Sequence, residues 1–173
     1  MSKNQPISKK YTENVLILND IRSTENVGAM FRTADAAGIS KIYLTGYTPA
    51  PFDRFGRKRT DIAKSALGAE EFVPWEQKKM IFPLITKLKR EGFLIIAIEQ
   101  AENSIDYKKV KINKKPARRG GGNAFIVGTE VTGIPKNVLK KCDIVAEIPM
   151  KGKKESLNVS VSLGIALFRI LGV

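Results

Sequence analysis

A glycine-edged loop follows the apolar run Ala124–Val127 and has the composition of a ligand-binding turn. Open α/β sheets bind ligands outside the carboxyl ends of their strands, so we expect Gly128 to line a pocket and Glu130 to stand at its mouth. The spacing from Gly128 to Gly133 also occurs in P-loops, but Ile134–Pro135 replaces the Lys and Ser/Thr that bind nucleotide phosphates and Mg²⁺. A nucleotide hydrolase is therefore disfavoured, and a plain turn is the alternative interpretation.

A second candidate loop follows the next apolar run and leads into the last helix. Ile148, Met150 and Leu157 would give it apolar walls, and Ser156 and Asn158 would complement free backbone N–H groups at the helix start. Apolar walls with a few polar groups form a socket for a flat heterocycle. For Ser156 alone, simple helix capping is the favoured explanation.

The third candidate is the start of the first helix, where Thr24 or Asn26 can act as the cap. Arg32 lies at the edge of the apolar face of this helix. Gly28 lies one turn before it and would leave room for a ligand backbone to approach the guanidinium. The alternative is an ordinary surface arginine paired with Asp20 or Asp35.

Composition excludes several kinds of chemistry. The chain of 173 residues has no histidine, which removes histidine-based nucleophilic mechanisms and the usual zinc sites, so we expect no metal. The single cysteine, Cys142, cannot form an intramolecular disulfide and suits a reducing cytoplasm. No apolar run approaches the ~20 residues of a membrane span, and residues 1–12 lack the apolar region of a secretory signal.

The charge balance points to a polyanionic partner. Thirty Lys and Arg face seventeen Asp and Glu, a formal net charge of +13, which favours RNA over a basic surface kept only for solubility. Lys and Arg cluster in several predicted loops. Phe52 and Phe55 lie beside the cluster Arg54, Arg57, Lys58 and Arg59 and could stack on bases. The predicted RNA-contacting residues are Arg54, Arg57, Lys58, Arg59, Arg118, Arg119, Lys153 and Lys154.

The elements that must position these residues alternate between strand and helix. Apolar runs predict strands over 15–18, 41–45, 71–73, 93–98, 124–127 and 144–148. Helical spacing predicts a helix from Asn26 to a cap at Gly38, and others over 61–67, 76–91 and 157–171. We expect one α/β domain over 1–173, with a mostly parallel sheet flanked by helices. Residues 1–14 would be a basic tail and 107–123 a mobile, basic connection, without a separate RNA-binding domain.

Four motifs, in this order, resemble the SpoU (TrmH-like) branch of the SPOUT RNA methyltransferases, and the resemblance extends from about Val15 to the end of the chain. They are Asn26-x-Gly28-x-x-x-Arg32-x-Ala34-x-x-x-Gly38, the stretch 64–69 (KSALGA), Val127-Gly128-Thr129-Glu130-x-x-Gly133-Ile134, and Ile148-Pro149-Met150-x-Gly152 followed by Ser156-Leu157-Asn158-Val159-Ser160.

The resemblance implies transfer of a methyl group from S-adenosylmethionine to a ribose 2′-hydroxyl of tRNA or rRNA, a C-terminal trefoil knot and a homodimer with the site near the interface. It implies catalytic roles for Asn26, Arg32, Glu130, Ser156 and Asn158, and a cofactor pocket lined by Gly128, Ile148, Leu157 and Met150. A guanidinium has a pKa above 12, so we expect Arg32 to hold a phosphate and stabilise a developing alkoxide rather than act as a base. A catalytically idle RNA-binding protein with the same fold is the alternative.

Overall fold

The computed structural model describes residues 12–113 and 121–173 as alternating strands and helices. The strands are β1 (Glu13–Asn19), β2 (Lys41–Thr45), β3 (Trp75–Lys78), β4 (Leu94–Ile98), β5 (Ile105–Asp106), β6 (Gly122–Val127) and β7 (Ile144–Glu147). The helices are α1 (Thr24–Ala36), α2 (Thr60–Ala66), α3 (Ala69–Phe72), α4 (Ile81–Arg90), α5 (Lys136–Leu139) and α6 (Val159–Leu171), and a 3₁₀ turn covers Tyr107–Lys109. The predicted α/β class is confirmed.

The seven strands form one sheet in the order β3-β2-β1-β6-β4-β7-β5, and each pairing is parallel. In the middle of the sheet, Leu16 of β1 lies opposite Ile42 of β2 and Phe125 of β6. Because parallel strands point the same way, the loops that follow them meet at one edge of the sheet. The predicted ligand loops after β6 and β7 therefore share that edge.

Each face of the sheet has its own apolar core. Leu16 and Leu18 of β1 pack with α1, α2 and α6, whereas Val15 and Ile17 pack with α4 and α5. Both sets are almost fully buried, at 0 to 1% exposure, which explains why β1 is apolar without alternation. Burial of one such side chain contributes roughly 1.5–3 kcal/mol, so these contacts hold the strand ends firmly in place.

Three of the predicted elements differ from the structure. Residues 71–73 were predicted as a strand, but they belong to the end of α3 and the residue after it, while the strand β3 lies at Trp75–Lys78. The predicted helix over 76–91 is wrong in its first turn and begins at Ile81. Pro83 is the third residue of α4, where its missing N–H costs nothing because that N–H has no partner in the helix. The last helix begins at Val159 rather than Leu157.

Helix α1 differs from the prediction in its cap and in the role of its glycine. Ser23 is the N-cap, and its hydroxyl accepts a hydrogen bond from the Asn26 N–H at 3.1 Å, so neither Thr24 nor Asn26 is the cap. At the other end, the C-cap is Ala37 rather than Gly38; Gly38 is the next residue, with a φ of +71°, and its N–H donates to the carbonyl of Asp35. Gly28 faces α2, where an added Cβ would collide with the Ile62 carbonyl and the Ser65 hydroxyl. Gly28 therefore allows two helices to pack closely, and it does not open a path for a ligand.

The remaining expectations at this level concern the tail, membranes and metals. Glu13 and Asn14, the last two residues of the expected tail, are the first residues of β1. Among the described residues, no helix combines the length and apolar character needed to cross a bilayer. In the same part of the chain, no group of three or more Cys, Asp or Glu side chains has the arrangement of a metal site.

Candidate active site

A cavity of about 560 Å³ opens at the carboxyl edge of the sheet. Its walls come from three loops, which follow β4, β6 and β7, and from the start of α6. The volume lies within the range of about 300–1,000 Å³ that is usual for small-molecule sites. The four residues predicted for the cofactor all line this cavity, as do three of the five predicted catalytic residues: Gly128, Ile148, Met150 and Leu157, with Glu130, Ser156 and Asn158.

The loop after β6 is closed upon itself. The Thr129 N–H donates to the Gly133 carbonyl at 3.2 Å, and the Gly133 N–H returns a bond to the Thr129 carbonyl at 3.0 Å. Gly128 lies against this closure, where an added Cβ would come within 2.5 Å of the Gly133 carbonyl group. Gly133 has a φ of +64° and faces the carboxylate of Glu99. Glycine is therefore required at both ends of the loop, which agrees with the predicted ligand turn.

Glu99 holds this loop in place, and sequence reasoning missed it. One oxygen of its carboxylate accepts the Ile134 N–H at 2.8 Å, and the other accepts the Gln100 N–H at 2.9 Å. The side chain of Gln100 donates to the Glu155 carbonyl at 3.0 Å and so ties the β4 loop to the β7 loop. The signal was available, because Glu99 and Gln100 directly follow the apolar run of β4 at the edge where ligands bind.

Asn26 and Glu130 join the start of α1 to the same loop. The Asn26 side chain is 9% exposed and donates to Glu130 Oε1 at 3.0 Å. The backbone N–H groups of Arg22 and Ser23 also donate to this carboxylate, at 3.2 and 3.1 Å. Partial burial raises the pKa of Glu130, but the hydrogen bonds from Asn26, Ser23 and Arg22 outweigh it and hold the pKa below its usual value. Glu130 is thus an anion that orders the mouth of the cavity.

Asn158 connects this pair to the last helix. Its side-chain oxygen caps α6 by accepting the Ser160 N–H at 2.8 Å, and its amide donates to Asn26 Oδ1 at 3.1 Å. Glu130, Asn26 and Asn158 therefore form a continuous hydrogen-bonded chain. Ser156 lines the cavity two residues earlier, and the expectation that it caps the helix is wrong because Asn158 occupies that position.

Arg32 lies apart from the cavity wall. It is exposed on α1, and within the described residues it forms no ion pair, so the alternative pairing with Asp20 or Asp35 is not observed. Six residues separate it from Asn26, which corresponds to about 9 Å along the helix axis. Its guanidinium is therefore exposed on the same helix whose first turn is joined to the cavity mouth through Asn26 and Glu130.

Some of the predicted RNA-contacting residues form ion pairs with carboxylates, whereas others do not. Arg57 pairs with Asp53 at 2.7 Å, Lys58 with the fully buried Glu70 at 2.9 Å, and Arg59 with Asp61 at 2.8 Å. In the same loop, Arg54 stacks over the ring of Phe55 at 4.7 Å, and this ring is 66% exposed. Lys153 and Lys154 are exposed in the β7 loop, whereas Arg118 and Arg119 lie outside the described residues.

The cavity has a distinct chemical character. Three carboxylates, from Glu99, Glu130 and Glu155, stand in its wall although the chain as a whole is strongly basic. Ile148 and Leu157 provide apolar surface beside them. Such a cavity can hold a ligand that combines a flat apolar part with positive charge, and the exposed lysines of the β7 loop can hold a polyanion at its rim.

Comparison with known proteins gives a consistent result. The SpoU rRNA Methylase family matches residues 13–168. A putative TrmH family tRNA/rRNA methyltransferase from Staphylococcus aureus (strain MSSA476) is 30% identical over 166 residues, which cover 96% of this chain and 61% of the relative. The 23S rRNA (guanosine-2'-O-)-methyltransferase RlmB of Pseudomonas aeruginosa is 29% identical over 158 residues, covering 91% and 58%. The chain thus spans about three fifths of the length of these curated relatives.

Among solved structures, an AdoMet-bound rRNA methyltransferase from Sinorhizobium meliloti has the same fold. The two superpose with a TM-score of 0.77 and share 27% sequence identity, over 93% of this chain and 56% of the other. The parallel sheet with flanking helices is therefore an arrangement already seen in an RNA-modifying protein.

Proposed function

The chain belongs to the SpoU rRNA methylase family, and from this premise we propose that it transfers a methyl group from S-adenosylmethionine to a ribose 2′-hydroxyl of tRNA or rRNA. The observation that carries the proposal is the cavity at the ends of β4, β6 and β7, with the Glu130–Asn26–Asn158 chain at its mouth. A small-molecule pocket and free cations at its rim are what a donor and an RNA acceptor together require.

The residues of the cavity fit S-adenosylmethionine. This cofactor supplies a methyl group on a positively charged sulfur, which is already an activated donor. Gly128 brings backbone to the cavity surface without a side chain, and Ile148 and Leu157 offer apolar contact for a flat ring. Glu99, Glu130 and Glu155 surround the space with negative charge, which stabilises a bound cation.

Neither histidine nor Glu130 supplies a strong base for the acceptor hydroxyl. It contains no histidine, and the pKa of Glu130 lies below that of an ordinary carboxylate. We therefore assign to Arg32 an electrostatic role, in which it holds the phosphate beside the target ribose and stabilises the alkoxide that develops there. Asn26 and Asn158 keep the cavity mouth in one arrangement, and we assign to Ser156, which lines the cavity, a contact with the acceptor.

The proposal includes a homodimer and a C-terminal trefoil knot, both implied by the resemblance to the family. An exposed apolar stripe on α6 supports the dimer, since Val161, Ile165 and Phe168 are 48, 38 and 39% exposed. At 100° per residue these positions fall within an arc of about 60°, which is a single strip of helix surface. We place the enzyme in the cytoplasm, where RNA is available and Cys142 stays reduced.

Two measurements test the proposal. Calorimetry with S-adenosylmethionine should show binding, and incubation of total tRNA and rRNA with labelled cofactor should give a ribose that resists alkaline cleavage. Absence of cofactor binding would favour the alternative, a catalytically idle RNA-binding protein with this fold. Mapping of the resistant position identifies the nucleotide.

A further inference from the structure

A second cavity, of about 510 Å³, lies between the residues that follow β5 and the last turn of α6. Its residues are Tyr107, Lys108, Val110, Lys111, Ile112, Arg169, Ile170, Leu171 and Gly172. None of them lines the first cavity, and the function proposed above makes no use of them. From Asn158 at the first cavity to Arg169 at the second, eleven residues of helix span about 16 Å.

The charges of this second cavity are of one sign. Lys108, Lys111 and Arg169 are exposed, and within the described residues none of them pairs with a carboxylate. Of the described residues that line the cavity, none is acidic. The nearest acid in sequence, Asp106, accepts the Lys108 N–H at 2.9 Å and so caps the 3₁₀ turn. Three uncompensated cations around one hollow favour an anionic occupant.

The walls of the cavity are rigid enough to present these cations in a fixed arrangement. Val110 and Ile112 pack against the core cluster that includes Ile170 of α6. Asn113, at the end of this segment, is tied to β6: its N–H donates to Asn123 Oδ1 at 2.9 Å, and its side chain donates to the Gly122 carbonyl at 3.1 Å. The cationic segment is therefore anchored on both sides and is not a loose surface loop.

The ring of Tyr107 adds a flat surface at the same place. It is half-buried against the core, and the Lys108 ammonium lies over it at 5.6 Å from the ring centre. Cations beside an aromatic ring are the combination that binds phosphates and bases of a nucleic acid strand. An acidic protein would also match the charge, and the experiment below distinguishes it from RNA.

We propose that this cavity is a second RNA contact, which holds backbone phosphates of the substrate about 16 Å from the first cavity along α6. At the 3.4 Å spacing of stacked nucleotides, that separation corresponds to about five nucleotides. The inference rests on the proposed function for the identity of its occupant. It assigns Lys108, Lys111 and Arg169 to recruitment of RNA and not to methyl transfer.

The test is a triple substitution, Lys108→Gln, Lys111→Gln and Arg169→Gln, assayed by filter binding with bulk tRNA over a range of KCl concentrations. Phosphate contacts carry no sequence information, so bulk tRNA is a sufficient probe. We expect about tenfold weaker binding at 0.1 M KCl and a salt dependence flatter by about 2 to 3 units of slope. KM for RNA should rise, while kcat at saturating RNA and the affinity for S-adenosylmethionine stay unchanged.

A matched control removes the same charge elsewhere. Lys136, Lys140 and Lys141 are exposed near α5, and their triple change to Gln should leave tRNA binding within about twofold. The triple Lys108→Arg, Lys111→Arg and Arg169→Lys should restore binding. Equal losses in the two Gln triples would overturn the inference, since net charge alone would then explain them.

The outcomes also separate this inference from the proposed function. If the Gln variant of Lys108, Lys111 and Arg169 transfers methyl groups with an unchanged KM for RNA, the proposed function stands and the second RNA contact is refuted. If the natural chain transfers no methyl group but binds tRNA, and the variant loses that binding, the second RNA contact stands and the proposed function is refuted. If the natural chain binds poly-L-glutamate, and the variant loses this binding but still binds tRNA, the inference is overturned and the cavity is assigned to an acidic protein.

Discussion

At the scale of single residues, Arg32 is the side chain whose proposed role is easiest to isolate. It is exposed, so its removal should leave the fold intact, and it lies off the cavity wall, so cofactor binding should persist. We expect Arg32→Ala to reduce methyl transfer to RNA at least a hundredfold, because loss of a preorganised electrostatic contact costs about 10²–10³ in rate. Calorimetry with S-adenosylmethionine and incorporation of labelled methyl groups measure the two properties separately.

The control for Arg32→Ala is Arg90→Ala, which removes another exposed arginine, from α4 on the other face of the sheet. It should retain full turnover. Full turnover in Arg32→Ala would exclude this residue from the mechanism.

Asn158 combines a structural and a functional contact, and two substitutions separate them. Asn158→Ala removes the cap of α6 and should lower the free energy of unfolding by about 1 kcal/mol. Asn158→Asp keeps an oxygen for the Ser160 N–H but cannot donate to Asn26, so stability should be retained while activity falls. Urea denaturation and the methyl-transfer assay test this together. Full activity in Asn158→Asp would show that the link to Asn26 is not needed.

Glu130 should give the stability of the protein a specific pH dependence. Its pKa is lowered in the folded state, so its ionised form stabilises the fold above its ordinary value of about 4.3, and this contribution disappears as the pH falls through the folded-state pKa. The difference in unfolding free energy between the natural chain and Glu130→Gln should therefore be largest near neutral pH and shrink in acid. Urea denaturation at several pH values measures it.

The comparison for Glu130 is Glu102→Gln, which removes an exposed loop carboxylate. It should change stability little at any pH. A difference between the natural chain and Glu130→Gln that stays constant into acid would contradict the assignment of Glu130 as a hydrogen-bonded anion.

At the scale of elements, the sequence predicted most strands well because each of them contains an unbroken apolar run. β1, β2, β4, β6 and β7 were all found within two residues of their ends. β3 was missed since Trp75–Lys78 carries a charge or an amide at three of four positions and lies at the edge of the sheet, where burial does not select its residues. The Asn26–Asn158 bond was not predictable either, because it joins residues 132 positions apart.

Close packing of α1 on α2 is the element-scale feature with a direct test. Gly28→Ala would place a methyl group against the Ile62 carbonyl, and such overpacking typically costs about 1–3 kcal/mol. Gly164→Ala on α6 is the matched control, since its nearest neighbour is Thr33 Cγ2 at 3.8 Å, an ordinary contact. The control should be neutral or stabilising, because alanine favours a helix over glycine by up to about 1 kcal/mol. Similar denaturation midpoints for the two variants would contradict this packing role.

At the scale of the whole molecule, helix α6 takes part in both cavities and in the exposed apolar stripe. Its first turn closes the cavity at the carboxyl edge, its last turn borders the second cavity, and its buried side packs on the sheet through Leu163 and Leu167. The only side of α6 that this leaves open among the described residues is the apolar stripe of Val161, Ile165 and Phe168. A single helix thus links the proposed donor site, the RNA contact and the dimer, and its apolar composition follows from these demands.

The dimer is the last prediction and the one with the widest consequence. Phe168→Glu places a charge at the C-terminal end of the stripe and should convert a dimer into a monomer in light scattering coupled to gel filtration, because an unpaired charge in an apolar interface costs several kcal/mol. The fold should survive, since Phe168 is 39% exposed and outside the core. Phe72→Glu, at a more exposed apolar residue of α3, is the control and should remain dimeric. S-adenosylmethionine should still bind to the Phe168→Glu monomer because its proposed contacts, Gly128, Ile148 and Leu157, all belong to the same chain, whereas methyl transfer should be lost. A monomeric natural chain that methylates RNA would refute both the dimer and the placement of the site near its interface.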